Sequence, residues 1–194
     1  LWGEATLIRY CDDFIICFER MDDAKRVERV LDKRFEKYHL SLHPEKTRLI
    51  DFRRPPLDQT GGKGPGSFDF LGFTMYWRRN RKGPGWHLAS KTRSARLSKT
   101  VQNIYDLYRR QRHEPIAVRH KAIVSRIRGH FGYFGVNENQ KSLKSLVYWS
   151  KRAWHKWLNR RSQRSRLNWK RFLDLYKHYP LPNPKVYVNI WESP

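Results

Sequence analysis

Thr6-Leu7-Ile8-Arg9-Tyr10-Cys11-Asp12-Asp13-Phe14-Ile15-Ile16-Cys17-Phe18 is the stretch that decides the fold. Residues 6–10 and 14–18 are β-prone runs, and Cys11-Asp12-Asp13 lies between them. The pattern predicts a β-hairpin with acids at its turn. Two adjacent carboxylates repel, so crowding them into one tight turn is costly. A bound divalent cation removes that cost. Mg²⁺ takes oxygen ligands, commonly one or two carboxylates plus substrate phosphates. A pair of such ions serves phosphoryl transfer by clamping the attacking and leaving oxygens. An isolated acid pair is more often a solvated turn; the strongly β-prone flanks and the polycationic remainder weigh against that here.

Downstream, Asp22 and Asp23 offer N-cap chemistry. Ala24, Val27, Leu31, Phe35 and Tyr38 recur at helical spacing, which predicts an amphipathic helix to about His39. Residues 40–42 read as a short strand, His43-Pro44 as a turn and residues 47–52 as an alternating strand. The Pro- and Gly-rich segment 53–66 reads as a loop. Residues 67–77 are β-prone, and Gly83-Pro84-Gly85 supports a hairpin turn after them.

Four helices are expected in the remainder. The first carries Leu97, Val101, Ile104, Tyr105 and Tyr108. The second opens at Glu114-Pro115 and carries Ile116, Ile123, Ile127, Phe131 and Phe134. The third, capped by Asn139, carries Leu143, Val147, Trp154 and Leu158. The fourth, capped by Ser165, carries Trp169, Phe172, Leu173 and Tyr176. Pro180, Pro182 and Pro184 end it and begin an extended tail. Trp154, Trp157 and Trp169 are expected in the core.

The charge distribution separates two regions. The 194 residues hold 41 Lys+Arg against 18 Asp+Glu, a formal net charge of +23. Residues 1–60 hold 12 of each sign, so the whole excess lies in residues 61–194, where 29 basic residues face 6 acids. An aromatic content of 14% excludes a disordered basic tail. A folded surface this basic is expected to lie against phosphates, and nucleic acid fits better than a membrane. No run of 18 apolar residues offers a membrane span. Cys11 and Cys17 have neither metal-ligand spacing nor a disulfide framework, so a reducing, cytoplasmic setting is expected. The opening at Leu1, without Met, reads as the interior of a longer chain.

Tyr10-Cys11-Asp12-Asp13 resembles the Y-x-D-D box of reverse transcriptases. Leu42-His43-Pro44-Glu45-Lys46-Thr47 resembles the lysine segment that follows their palm helix. Phe68-Asp69-Phe70-Leu71-Gly72-Phe73 is similar to the F-x-F-L-G-F primer-grip hairpin of bacterial members. Arg128-Gly129-His130-Phe131-Gly132-Tyr133-Phe134 is similar to the R-G-x-x-x-Y-Y/F pattern of the group II intron maturase domain. Pro180-Leu181-Pro182-Asn183-Pro184 resembles the ending of bacterial members that lack an endonuclease. The segments occur in the family's order and cover nearly all of the chain.

The resemblance implies an α+β fold: the C-terminal part of a right-hand polymerase palm, an antiparallel hairpin plus helix, followed by an α-helical thumb bundle. It places a palm fragment at residues 1–88, a thumb/maturase domain at 89–179 and an extended tail at 180–194. It implies an RNA-directed DNA polymerase with two-metal nucleotidyl transfer. Asp12 is then the principal Mg²⁺ ligand and Asp13 a second or indirect one. Tyr10 lies under the primer end or incoming nucleotide. Cys11 replaces the commoner Ala and alters packing there. Lys46 neutralises or protonates the leaving pyrophosphate. Leu71 and Gly72 form the primer grip, where glycine permits close backbone approach. The family's third carboxylate and its fingers have no match here, so these residues alone are expected to be inactive.

Lys91, Arg93, Arg96 and Lys99, then Arg119, Arg126, Arg128 and His130, then Lys151, Arg152, Lys156, Arg160, Arg161 and Arg164 are expected to contact nucleic acid. Such contacts give affinity without sequence information. The implied partners are intron RNA, RNA–DNA hybrid and deoxynucleotide triphosphates, with no membrane; an oligomer is compatible with the sequence. Two other readings remain at this level. One is an RNA-binding splicing cofactor with no required catalysis. The other is a domesticated retron, diversity-generating or defence-type reverse transcriptase.

Overall fold

Strands β1 (Ala5–Tyr10) and β2 (Asp13–Phe18) pair antiparallel, from Ala5 opposite Phe18 to Tyr10 opposite Asp13. The computed structural model describes residues 1–57, 66–80, 82–162 and 167–189. Helix α1 (Met21–Glu36) follows, and Phe35 of its last turn stacks on Phe14 of β2 with ring centroids 5.8 Å apart. Asp22 and Asp23 lie inside the first helical turn rather than at its cap. The buried Asp23 carboxylate turns away to accept the backbone N–H groups of Trp2 and Gly3, at 2.8 and 2.9 Å. The helix stops at Glu36, short of His39.

Residues 40–42 and 47–52 form no strand. Alternation supplies an inward face, but among the described residues no ladder partner meets it. Phe52 packs edge-on against Phe68 at 4.8 Å and stacks with Trp77 at 5.6 Å, and its carbonyl accepts the Trp77 indole N–H.

A second sheet has the order β3 (Phe68–Phe70), β4 (Phe73–Arg79) and β5 (Trp86–Thr92). The β3–β4 turn uses Leu71 at φ 49° and Gly72 at φ 81°. Left-handed dihedrals at both central positions belong to the I′ hairpin turn, whose twist matches the strands it joins. Four helices follow: α2 (Ser94–Arg110), α3 (Ile116–Phe134), α4 (Gln140–Asn159) and α5 (Trp169–His178). The described residues thus form an α+β fold with two small antiparallel sheets and five helices.

The chain divides into two compact units, Leu1–Leu71 with Met75–Leu88, and Gly72–Thr74 with Ala89–Pro194. In the second, Ile104, Tyr108, Ile123, Ile127, Phe131, Leu143, Leu146, Trp154 and Phe172 build the core. Trp154 is its largest member; it stacks on Tyr108 at 6.0 Å and meets Phe172 edge-on at 5.9 Å. Trp157 is buried as expected, but Trp169 is 42% exposed.

Two caps differ from expectation. Asn139 occupies the α4 N-cap without capping it; its side chain is committed to Thr92 and to the Phe134 carbonyl. Helix α5 starts at Trp169 and is capped by Asn168, which accepts the Arg171 N–H at 2.9 Å. Ser165 and Arg164 lie outside the described residues, as does most of the 53–66 loop. Residues 180–189 of the tail are irregular, with Leu181 buried and Val188 in a bridge to Val136. Among the described residues no helix is long and apolar enough to cross a membrane.

Candidate functional site

Pairing of Tyr10 with Asp13 leaves Cys11 and Asp12 as a two-residue turn. Cys11 sits at φ 52°, a conformation that costs an L-residue about 1 kcal/mol. The Arg9 side chain steadies the turn by donating from Nε to the Cys11 carbonyl at 2.8 Å. Tyr10, Cys11, Asp12 and Asp13 are all exposed. Among the described residues neither Asp12 nor Asp13 meets a cation or a hydrogen-bond donor through its carboxylate, and no group of three His, Cys, Asp or Glu side chains gathers.

This donor set fits a hard divalent cation in part. Two unpaired, solvent-facing carboxylates on adjacent residues supply oxygen ligands and leave room for water or substrate phosphate. Two other carboxylates, Asp23 and Asp51, are engaged differently. Asp23 is used in folding; the N–H groups of Gly3 and, less strongly, Trp2 hold its carboxyl below the usual range. Asp51 binds the Arg53 guanidinium, which likewise holds it low.

Lys46 is exposed in the turn after His43, and its N–H donates to the His43 carbonyl at 3.1 Å. Among the described residues its ammonium group forms no hydrogen bond or ion pair with Asp12 or Asp13. Gly72 is favoured by its surroundings as well as by its φ. A Cβ there would stand 3.2 Å from the Phe134 ring, and the Gly72 carbonyl accepts the Arg93 N–H at 2.9 Å.

Most of the basic positions are accessible. Lys91, Arg93, Arg96, Lys99, Arg126, Arg128, Arg152, Lys156, Arg160 and Arg161 are exposed, and Lys151 is half-buried. Arg119 and His130 are not on that surface. Arg119 is fully buried beside the Tyr108 ring, with one long hydrogen bond to the Arg112 carbonyl. His130 is buried against Phe134 at 4.5 Å. Burial, reinforced by the charge of Arg96, lowers its pKa to about 4, so it is neutral near pH 7. Both belong to the inward stripe of α3, where Ile123, Ile127 and Phe131 also lie. Their spacing with those residues is the signal that places them there.

Sequence reasoning passes over Tyr148 and Trp149. They are 53% and 51% exposed on α4, off the stripe that buries Leu146, Ser150, Ala153 and Trp154. That break in apolar periodicity is visible in the sequence.

No curated protein matches the chain. Residues 2–75, which carry the acidic hairpin, α1 and the Leu71–Gly72 turn, match the family model described as reverse transcriptase (RNA-dependent DNA polymerase).

Proposed function

We propose that this chain is the palm end and thumb of an RNA-directed DNA polymerase of the group II intron-encoded class. The observation that carries the reading is the acidic hairpin tip: Asp12 in the two-residue turn and Asp13 at the start of β2, both exposed, inside the matched segment. In this reading residues 1–88 serve as palm, 89–179 as thumb and maturase domain, and 180–194 as tail.

Asp12 and Asp13 hold Mg²⁺, with a third carboxylate contributed from outside these 194 residues. The bound ions supply charge neutralisation on the reacting phosphate oxygens. Tyr10, exposed at the end of β1, offers its ring to the primer end or the incoming nucleotide. Cys11 fixes the turn that aims Asp12. Lys46 supplies a mobile positive charge for the departing pyrophosphate. The Leu71–Gly72 turn guides the primer strand. Cationic side chains of α2, α3 and α4 bind the phosphates of hybrid duplex and intron RNA, a mode that serves splicing as well as DNA synthesis. The reading places the protein in the cytoplasm, with access to chromosomal DNA.

The test is primer extension on an RNA template, with these residues joined to their upstream polymerase segment. Asp12→Ala is expected to abolish Mg²⁺-dependent extension while RNA affinity stays within about twofold, since phosphate contacts lie elsewhere. Full activity of Asp12→Ala would overturn the reading; extension by the unsupplemented 194 residues would overturn the outside origin of the third carboxylate. The charge distribution favours a second reading, an RNA-binding splicing cofactor with no catalysis. All the net positive charge lies in residues 61–194, apart from Asp12 and Asp13. Splicing assistance that survives Asp12→Ala, with no extension by any form, is its expected outcome.

A further inference from the structure

Helix α4 carries five Lys or Arg residues and no carboxylate along its 20 residues. Lys141, Lys144, Tyr148 and Arg152 follow one another at three- and four-residue steps, so they share one face. All four are exposed. Trp149 stands beside them, with its ring centroid 5.1 Å from that of Tyr148 and the planes 80° apart. The two rings therefore form an open corner. Arg152 supports it, donating from Nη1 to the Tyr148 hydroxyl at 3.2 Å with its guanidinium 5.6 Å from the ring centre.

This corner does not belong to the core. The core side of α4 is filled by Leu143, Leu146, Trp154 and Trp157, which are buried. Two large aromatics side by side leave about half of their surface in water. A protein interface built on them would sit among unopposed cations, which interface cores disfavour. Flat aromatic faces framed by cations match a different ligand: bases stack on the rings while their phosphates meet the ammonium and guanidinium groups.

We propose that the Tyr148–Trp149 corner, flanked by Lys141, Lys144 and Arg152, is a stacking platform for unpaired bases of single-stranded RNA. It rests on the nucleic-acid-binding part of the function above and is independent of DNA synthesis. A base lies flat on one ring with its edge toward the other, and the line of cations along α4 carries the backbone.

The experiment uses the full chain and three fluorescein-labelled probes: oligoadenylate, an abasic ribose-phosphate oligomer of the same length, and blunt RNA duplex. Wild-type protein is expected to prefer oligoadenylate over the abasic oligomer by about 10- to 100-fold, the range for one or two stacked bases. Its tryptophan emission is expected to be quenched by oligoadenylate alone. Tyr148→Ala/Trp149→Ala is expected to lose that preference and quench while duplex affinity changes by less than about twofold. Tyr148→Phe/Trp149→Phe keeps both faces and is expected to keep most of the preference. Equal wild-type affinity for oligoadenylate and abasic oligomer overturns the proposal without using any variant, and leaves the patch to a protein partner. Equal losses on all three probes also overturn it. Primer extension reports separately: failure there with the base preference intact rejects the polymerase and leaves the platform.

Discussion

Thr92 and Asn139 bind each other reciprocally across 47 residues: Asn139 Oδ1 accepts the Thr92 N–H, and Asn139 Nδ2 donates to Thr92 Oγ1, both at 2.8 Å. Both residues are buried. The same Nδ2 donates to the Phe134 carbonyl at 2.8 Å. One amide thus joins the end of β5, the end of α3 and the start of α4, and leaves no buried polar atom of its own unmatched.

Asn139→Ala is expected to destabilise the chain by about 1–3 kcal/mol, because the Thr92 N–H loses its partner in a buried site while the Phe134 carbonyl keeps only the Val136 N–H. Thr92→Val, which keeps the shape and deletes one bond, is expected to cost about half as much. Urea denaturation of both variants checks the ratio.

Gly72→Ala is expected to cost about 1–2 kcal/mol. The residue lies at φ 81°, and a methyl group would press on the Phe134 ring at 3.2 Å. Gly72→Ala with Phe134→Leu is expected to recover the part due to the clash and keep the part due to φ. Thermal unfolding of the single and double variants separates them.

His130 makes folding pH-sensitive. Its folded pKa of about 4 lies below the ordinary histidine value of 6.5. The unfolded chain therefore takes up the proton first as pH falls. The stabilisation is complete above about pH 6.5 and is lost progressively toward pH 4, by up to about 3 kcal/mol. The drop in Tm between about pH 7.5 and 5 is expected to be smaller in His130→Phe than in the wild type. An unchanged drop would refute this.

Asp23 acts at lower pH. Its carboxyl is held below the usual value by the Gly3 and Trp2 N–H groups. Its contribution is present above the unfolded carboxylate pKa and lost as pH falls through the lowered folded value. Asp23→Asn is expected to loosen residues 1–3 at neutral pH, seen as faster amide hydrogen exchange at Gly3, and to flatten the acid end of the stability profile.

Arg126→Ala/Arg128→Ala is expected to reduce the slope of log K against log salt for RNA binding by about two, one unit for each phosphate left without its arginine. Arg119→Met is expected to leave that slope unchanged, because the side chain never reaches solvent. A salt titration of the three proteins decides it.

Legibility in the sequence depends on what each pattern encodes. Residues 6–18 show their hairpin because two β-prone runs flank a short acidic turn that lets them pair with each other. Residues 47–52, expected as an alternating strand, form none, because a ladder needs a partner that a single run does not specify. The acid pair can be located from local sequence alone. The Leu71–Gly72 turn cannot: residues 67–77 read locally as one β-prone run, and only the family resemblance marks a hairpin within it. Nor can the side-chain roles of Asn139 and Asp23. Each has a plausible local use as a helix cap, and each is spent on a backbone group 47 or about 20 residues away. For Arg119 and His130, charge points to the surface while periodicity points inward, and periodicity wins: both lie on the stripe of Ile123 and Ile127.

Leu7, Ile8 and Tyr10 of β1 are 61%, 49% and 62% exposed, and among the described residues only β2 pairs with that strand. Side chains alternate across a sheet, so Leu7 and Ile8 present grease on both of its surfaces. The far rim of β1 is a row of unmet amide groups, a ready template for another extended segment. Concentrated solutions of these residues are therefore expected to self-associate rim to rim, and light scattering against concentration measures it.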